Sequence, residues 1–192
     1  MKTILFGGSF NPIHVGHLCM AEEALASTGA DKVLFIPARI PPHKELKDPG
    51  PEFRLSMLHA ALEGFPMFSV EDCEIQREGT SYTIDTIREL VGKSVVEPMP
   101  ILLIGDDLLS GFYSWKEWEA ILHEARILVA RRMESQPPAP QFPCEKIDNI
   151  RIPISSSLVR ARIGAQGAWR SLVPSATARI IEKHGLYGFL ER

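Results

Sequence analysis

His14 and His17 lie three residues apart, directly after Gly7-Gly8-Ser9-Phe10-Asn11-Pro12. A short apolar run, Thr3-Ile4-Leu5-Phe6, precedes this stretch, and helical periodicity follows it. The order is strand, glycine turn, helix start. Adjacent glycines let the backbone approach a ligand closely, because no Cβ stands in the way. The amides of such a turn, and of the helix N-terminus behind it, can point at an anion. Two imidazoles at i, i+3 share one face of the first helical turn. These residues predict a phosphate site with donors for a step in which negative charge develops. Paired histidines also bind metals, but no third or fourth ligand lies nearby in sequence, which argues against zinc. The P-loop lysine and the G-x-G-x-x-G spacing are both missing. Phosphate contact must therefore come from backbone, the histidines and basic residues supplied elsewhere.

Several stretches could supply those residues or face the same ligand. Residues 38–51 hold Arg39, Pro41-Pro42-His43-Lys44 and Lys47; the prolines prevent regular structure there, so the cations collect in a loop. Ile154-Ser155-Ser156-Ser157-Leu158-Val159-Arg160 reads as an extended segment ending in a Ser155 cap, with Arg160 in the second turn of the helix. Gly105-Asp106-Asp107 follows the apolar run Ile101-Leu102-Leu103-Ile104, at a strand edge where a ribose or a metal could be met. Ser81 and Thr83 stand at a helix start, where capping accounts for them without any ligand. Trp115 and Trp118, at i, i+3, could equally pack on one another as core.

Strands and helices must alternate to position these groups. Apolar runs predict strands over residues 2–6, 32–37, 68–70, 100–104 and 125–130. Helices are expected from Pro12 to Thr28, with Asn11 as N-cap and Gly29 as terminator, and over 52–63. Further helices should start near Ser81, run over 156–163, and run over 174–184 before Gly185. Residues 72–79 read as polar turns and 131–143 as an exposed proline-rich loop. Alternation of this kind defines an α/β, Rossmann-like domain with parallel, right-handed crossovers, its ligands beyond the carboxyl ends of the strands.

At 192 residues the chain suits a single domain, 1–192, with enough length for a full core. Its 45% hydrophobic and 23% charged content are those of an ordinary globular protein. A net charge of −3 argues against nucleic acid and against a polybasic membrane anchor. No apolar run is long enough to span a bilayer and no signal-peptide pattern precedes Ile4, so a cytoplasmic location is expected. Cys19, Cys73 and Cys144 are scattered and odd in number, and read as reduced thiols. A homo-oligomer is compatible with all of this.

Gly7 to His17 resembles the G-x-F-D-P-x-H-x-G-H signature of the nucleotidyltransferase superfamily, and Ile154 to Arg160 resembles its second signature, I-S-S-T-x-[IV]-R. Asn11 departs from the usual aspartate and Ser157 from the usual threonine. Those signatures alone suit phosphopantetheine or glycerol phosphate as acceptor equally well. Pro41-Pro42-His43-Lys44, Ser81-Tyr82-Thr83-Ile84-Asp85-Thr86, the Gly105-Asp106-Asp107…Trp115 stretch and His184-Gly185-Leu186-Tyr187 narrow the choice. Together they resemble bacterial nicotinate mononucleotide adenylyltransferases along almost the whole chain.

The resemblance implies a doubly wound parallel sheet of nucleotidyltransferase type. It also implies adenylyl transfer from ATP to nicotinate mononucleotide, giving deamido-NAD and pyrophosphate in NAD biosynthesis. By that comparison Gly7, Gly8, Ser9 and Phe10 bind ATP, with His14 and His17 on the α- and β-phosphates. Ser156, Ser157 and Arg160 take the β- and γ-phosphates, and Lys44 also meets phosphate. Gly105 and Asp107 face the nucleotide; Thr83 and Trp115 face the nicotinate ring. His14, His17, Lys44 and Arg160 are then the catalytic set. The acceptor phosphate is already nucleophilic, so direct in-line attack needs neither a general base nor a covalent intermediate. Mg²⁺ is expected, bound through ATP phosphates and water. A pantetheine-phosphate adenylyltransferase and a non-catalytic nucleotide sensor remain the alternatives.

Overall fold

Strand β1 (Thr3–Gly8) lies at the middle of a six-stranded sheet, ordered β3-β2-β1-β4-β5-β6. The others are β2 (Lys32–Pro37), β3 (Phe68–Val70), β4 (Ile101–Gly105), β5 (Arg126–Ala130) and β6 (Glu145–Ile147). Every pairing is parallel. The computed structural model describes residues 1–42, 49–133 and 139–190.

Alternate residues of each strand point to opposite faces. Ile4, Phe6, Val33, Phe35, Ile101 and Leu103 join one core, shared with helices α1 (Val15–Thr28), α2 (Pro51–Leu62), α6 (Ser156–Gly164) and α7 (Ser175–Lys183). Leu5, Leu34, Ile36, Leu102, Ile104 and Val129 join the other, covered by α4 (Thr83–Gly92), α5 (Trp118–Glu124) and the short α3 (Cys73–Gln76). Both faces are covered, which is why the strands read as continuous apolar runs rather than alternating ones. The doubly wound α/β sheet expected from the sequence is the one observed.

Local departures have local causes. Helix α1 begins at Val15 rather than Pro12, with His14 as its N-cap at φ −142°, ψ 167°. Phe10, at φ +44°, and extended His14 keep the chain out of helical geometry through the whole turn. One turn of helix, α3, forms in the stretch expected to be turns. Strand β6 was not foreseen: Glu-Lys-Ile is three residues long and exposes both charges, as an edge strand does. Gly29 ends α1 in the left-handed region, φ +60°, its N–H donating to the Leu25 carbonyl at 2.9 Å. Among the described residues no helix is long and apolar enough to cross a membrane.

Candidate active site

β1 leads to α1 on one face of the sheet, whereas β4 leads to Leu109 and Phe112 on the other. The crevice of an open α/β sheet forms at such a switch point. Here it is a cleft of about 730 Å³. Gly7, Gly8, Ser9 and His17 line it, together with Ser156, Ser157 and Arg160. Gly105, Asp107, Thr83 and Trp115 complete it from the β4 side. Sequence-distant candidates thus share one cavity. A Cβ on Gly7 would meet nothing within 4 Å, so its backbone faces open space that a ligand can fill. Phe10 is not on the cleft wall: it is 1% exposed and packs edge-on against Phe6, centroids 5.6 Å apart. Lys44 lies outside the described residues.

The two histidines differ in environment. Their rings stack at 3.6 Å and 27°. His17 Nδ1 accepts the His14 backbone N–H at 3.2 Å, which leaves Nε2 as the protonated nitrogen of the neutral ring. His14, expected on the phosphates, lies deeper: it is 2% exposed, is not on the cleft lining, and neither ring nitrogen is hydrogen-bonded among the described residues. Burial, helped by the Arg132 charge, drives its pKa down to about 3. A Cβ on Gly16 would come within 3.1 Å of the His14 ring, so glycine is what lets this ring lie against the helix.

The second signature segment is bonded to the first. Ser156 Oγ donates to the Pro12 carbonyl at 2.9 Å, and Arg160 Nη1 to the Asn11 carbonyl at 2.6 Å. Arg160 Nη2 donates to Ser157 Oγ at 3.2 Å. Ser155 caps α6 as expected, its Oγ accepting the Leu158 N–H at 3.1 Å. Tyr187 Oη donates to Asn11 Oδ1 at 2.7 Å, and Asn11 itself lines the cleft. The asparagine amide keeps the acceptor that an aspartate would offer there, without its negative charge.

On the opposite side Trp115 packs on Phe112 and borders the cleft, whereas Trp118 sits edge-on against Tyr113. The buried Glu74, also on the cleft lining, accepts the Thr86 hydroxyl at 2.6 Å. Burial raises its pKa, while hydrogen bonds from Thr86 and Ser81 and the Arg77 charge pull the other way. Arg132 is a cleft residue that sequence reasoning missed. It pairs with Asp107 at 3.0 Å, and Asp106 Oδ1 accepts the Arg132 and Met133 N–H groups at 2.8 and 2.9 Å. A Cβ on Gly105 would overlap the Asp107–Arg132 pair. The doubled Arg131-Arg132 after β5, at the carboxyl edge of the sheet, was the available signal. Among the described residues no group of three or more His, Cys, Asp or Glu is placed to hold a metal. The donors that line the cleft suit phosphate.

Fold and site together define a nucleotidyltransferase-type α/β protein, and the chain belongs to the cytidylyltransferase-like family, which it matches over residues 5–162. Its relatives are more specific. A "probable nicotinate-nucleotide adenylyltransferase" of Borrelia garinii is 37% identical over 188 residues, 97% of this chain and 95% of the relative. One of Geobacillus thermodenitrificans, with the same name, is 36% identical, covering 97% of this chain and 86% of the relative. The fold is similar to that of the Plasmodium falciparum nicotinic acid mononucleotide adenylyltransferase complexed with NaAD, with a TM-score of 0.81 at 19% identity and 99% of each chain covered.

Proposed function

We propose that this protein transfers the adenylyl group of ATP to nicotinate mononucleotide, releasing pyrophosphate and forming deamido-NAD. The observation that carries the reading is the junction of the two signature segments, Ser156 to Pro12 and Arg160 to Asn11, at the rim of a cleft that also holds Thr83 and Trp115. Full-length similarity to relatives named for this activity supports it. In this reading the triphosphate lies over Gly7–Ser9, against His17 and the N-terminus of α6. His17 Nε2–H stabilises charge as it develops on the α-phosphate, and Arg160 holds the departing pyrophosphate. His14, uncharged at neutral pH and set behind the cleft lining, serves as the surface on which His17 is stacked. Lys44 is assigned to the phosphates by the sequence resemblance alone. Thr83 and Trp115 hold the pyridine ring, so the acceptor phosphate points at the nucleotide. Mg²⁺ brought in with ATP would supply charge neutralisation, with no ligand set from the described residues.

Pyrophosphate release with ATP and each of three acceptors tests the reading. Nicotinate mononucleotide should be the preferred substrate over nicotinamide mononucleotide and over 4′-phosphopantetheine. A higher kcat/KM for phosphopantetheine would reassign the acceptor. No release with any acceptor, despite ATP binding, would make the protein a nucleotide sensor.

A further inference from the structure

Arg54, on α2, is the largest of the fully buried side chains among the described residues, at 1% exposure. Arginine is seldom buried to this extent without a carboxylate partner. The bonds of Arg54 go to main-chain carbonyls instead. Nη1 donates to the Ser9 carbonyl at 2.8 Å and Nη2 to the Arg39 carbonyl at 3.3 Å, while Nε has no partner among the described residues. Burial pulls its pKa down, opposed by the fields of Tyr187 and Glu52.

The two carbonyls belong to the two sides of the cleft. Ser9 is in the glycine turn that underlies the triphosphate. Arg39 follows β2 and is tied to the acceptor side: its N–H donates to Ser81 Oγ at 3.0 Å, and its Nη1 to the Ile75 carbonyl at 2.8 Å. The Ser81 N–H returns to the Ile40 carbonyl at 2.9 Å. Ser81 stands two residues before Thr83. One rigid, planar fork therefore spans the turn on which ATP rests and the segment anchoring the acceptor wall.

We propose that Arg54 is a positioning residue for adenylyl transfer, fixing the separation of the Ser9 turn and the Arg39–Ser81 segment and hence the alignment of acceptor phosphate with α-phosphate. The proposal rests on the activity inferred above. Arg54 is not on the cleft lining, so each substrate should bind almost normally without it. In-line transfer is far less forgiving, since an error of about 1 Å in placement costs on the order of a hundredfold in rate. A lysine keeps the charge but reaches one carbonyl only, and should restore part of the rate.

The test compares wild type, R54K, R54Q and S81A. Calorimetry gives Kd for ATP and for nicotinate mononucleotide separately, and single-turnover kinetics gives the rate at saturation, per folded protein. R54Q should be slower by about 10–100-fold, R54K should fall between it and wild type, and each Kd should stay within about threefold of wild type. S81A, which breaks the same path at Arg39, should also lower the rate without moving Kd. A wild-type rate in folded R54K or R54Q overturns the proposal, as does a loss in rate matched by an equal loss in ATP affinity. Should both arginine variants unfold, S81A decides, and an unchanged rate there overturns it. Absence of pyrophosphate release in wild type itself would instead overturn the proposed activity, and this role with it.

Discussion

At the scale of the residue, two histidines in contact are set to opposite uses. His14 has an ordinary pKa near 6.5 when unfolded and about 3 when folded. Above pH 6.5 both states are neutral and the difference costs nothing. Below it the unfolded chain takes up a proton that the native one refuses, so stability falls as pH drops from 6.5 toward 3. The slope approaches about 1.4 kcal/mol per pH unit. His14→Gln should flatten the fall of Tm between pH 6.5 and 5, which thermal melts across that range will show. His17→Ala should instead lower kcat at least about a hundredfold, the scale of losing one transition-state donor, with a smaller effect on ATP affinity. Unchanged kcat would remove His17 from the chemistry. Trp115→Ala should raise KM for nicotinate mononucleotide about tenfold, in keeping with loss of an aromatic stack and its buried area, and leave KM for ATP unaltered. The fluorescence quench on titrating that substrate should vanish with it. Trp118→Ala, which alters packing on Tyr113, should lower Tm and keep the quench.

At the scale of the element, helix α6 carries a charge-bearing side chain to a turn almost the whole chain away. Arg160→Ala should weaken ATP binding by about 1.5–3 kcal/mol, the range for a hydrogen bond to a charged group, and Arg160→Lys should restore only part of it. Wild-type affinity in the alanine variant, measured by calorimetry, would make α6 a purely structural brace. Much of this was legible in the sequence because the information is local. A strand-glycine-helix order, a serine cap and a hydroxyl run each declare themselves within a few residues. The start of α1 misled, since Asn11-Pro12 has the chemistry of a cap and first turn while the chain stays extended to His14. Arg54 and Tyr187 were not assigned roles, because a bond to a carbonyl or to a residue far along the chain leaves no spacing to detect. β6 was hidden by brevity and by its two charges.

At the scale of the whole molecule, the site is assembled from both halves of a doubly wound sheet. Parallel strands and the contacts of Arg160 and Tyr187 with Asn11 make the pairing strongly non-local, and such topologies fold slowly. The three thiols do not add a covalent shortcut: all are free, and burial pushes Cys73 up to about 12 and raises Cys19 and Cys144. They should react sluggishly with iodoacetamide at pH 7.5 until the protein unfolds, which mass spectrometry of the alkylated chain will report. The bond from Tyr187 to Asn11 closes a span of 176 positions. At cellular synthesis rates the ribosome needs roughly 10 to 35 s to cover that distance. During that interval the first signature has been made, yet the residues that brace it do not exist. Chains arrested on the ribosome before Arg160 should fail to bind immobilised ATP, whereas chains extended past Tyr187 and clear of the exit tunnel should bind it. Nucleotide binding would then mark the moment at which synthesis of the site is finished, with the earliest residues of the loop waiting on some of the latest.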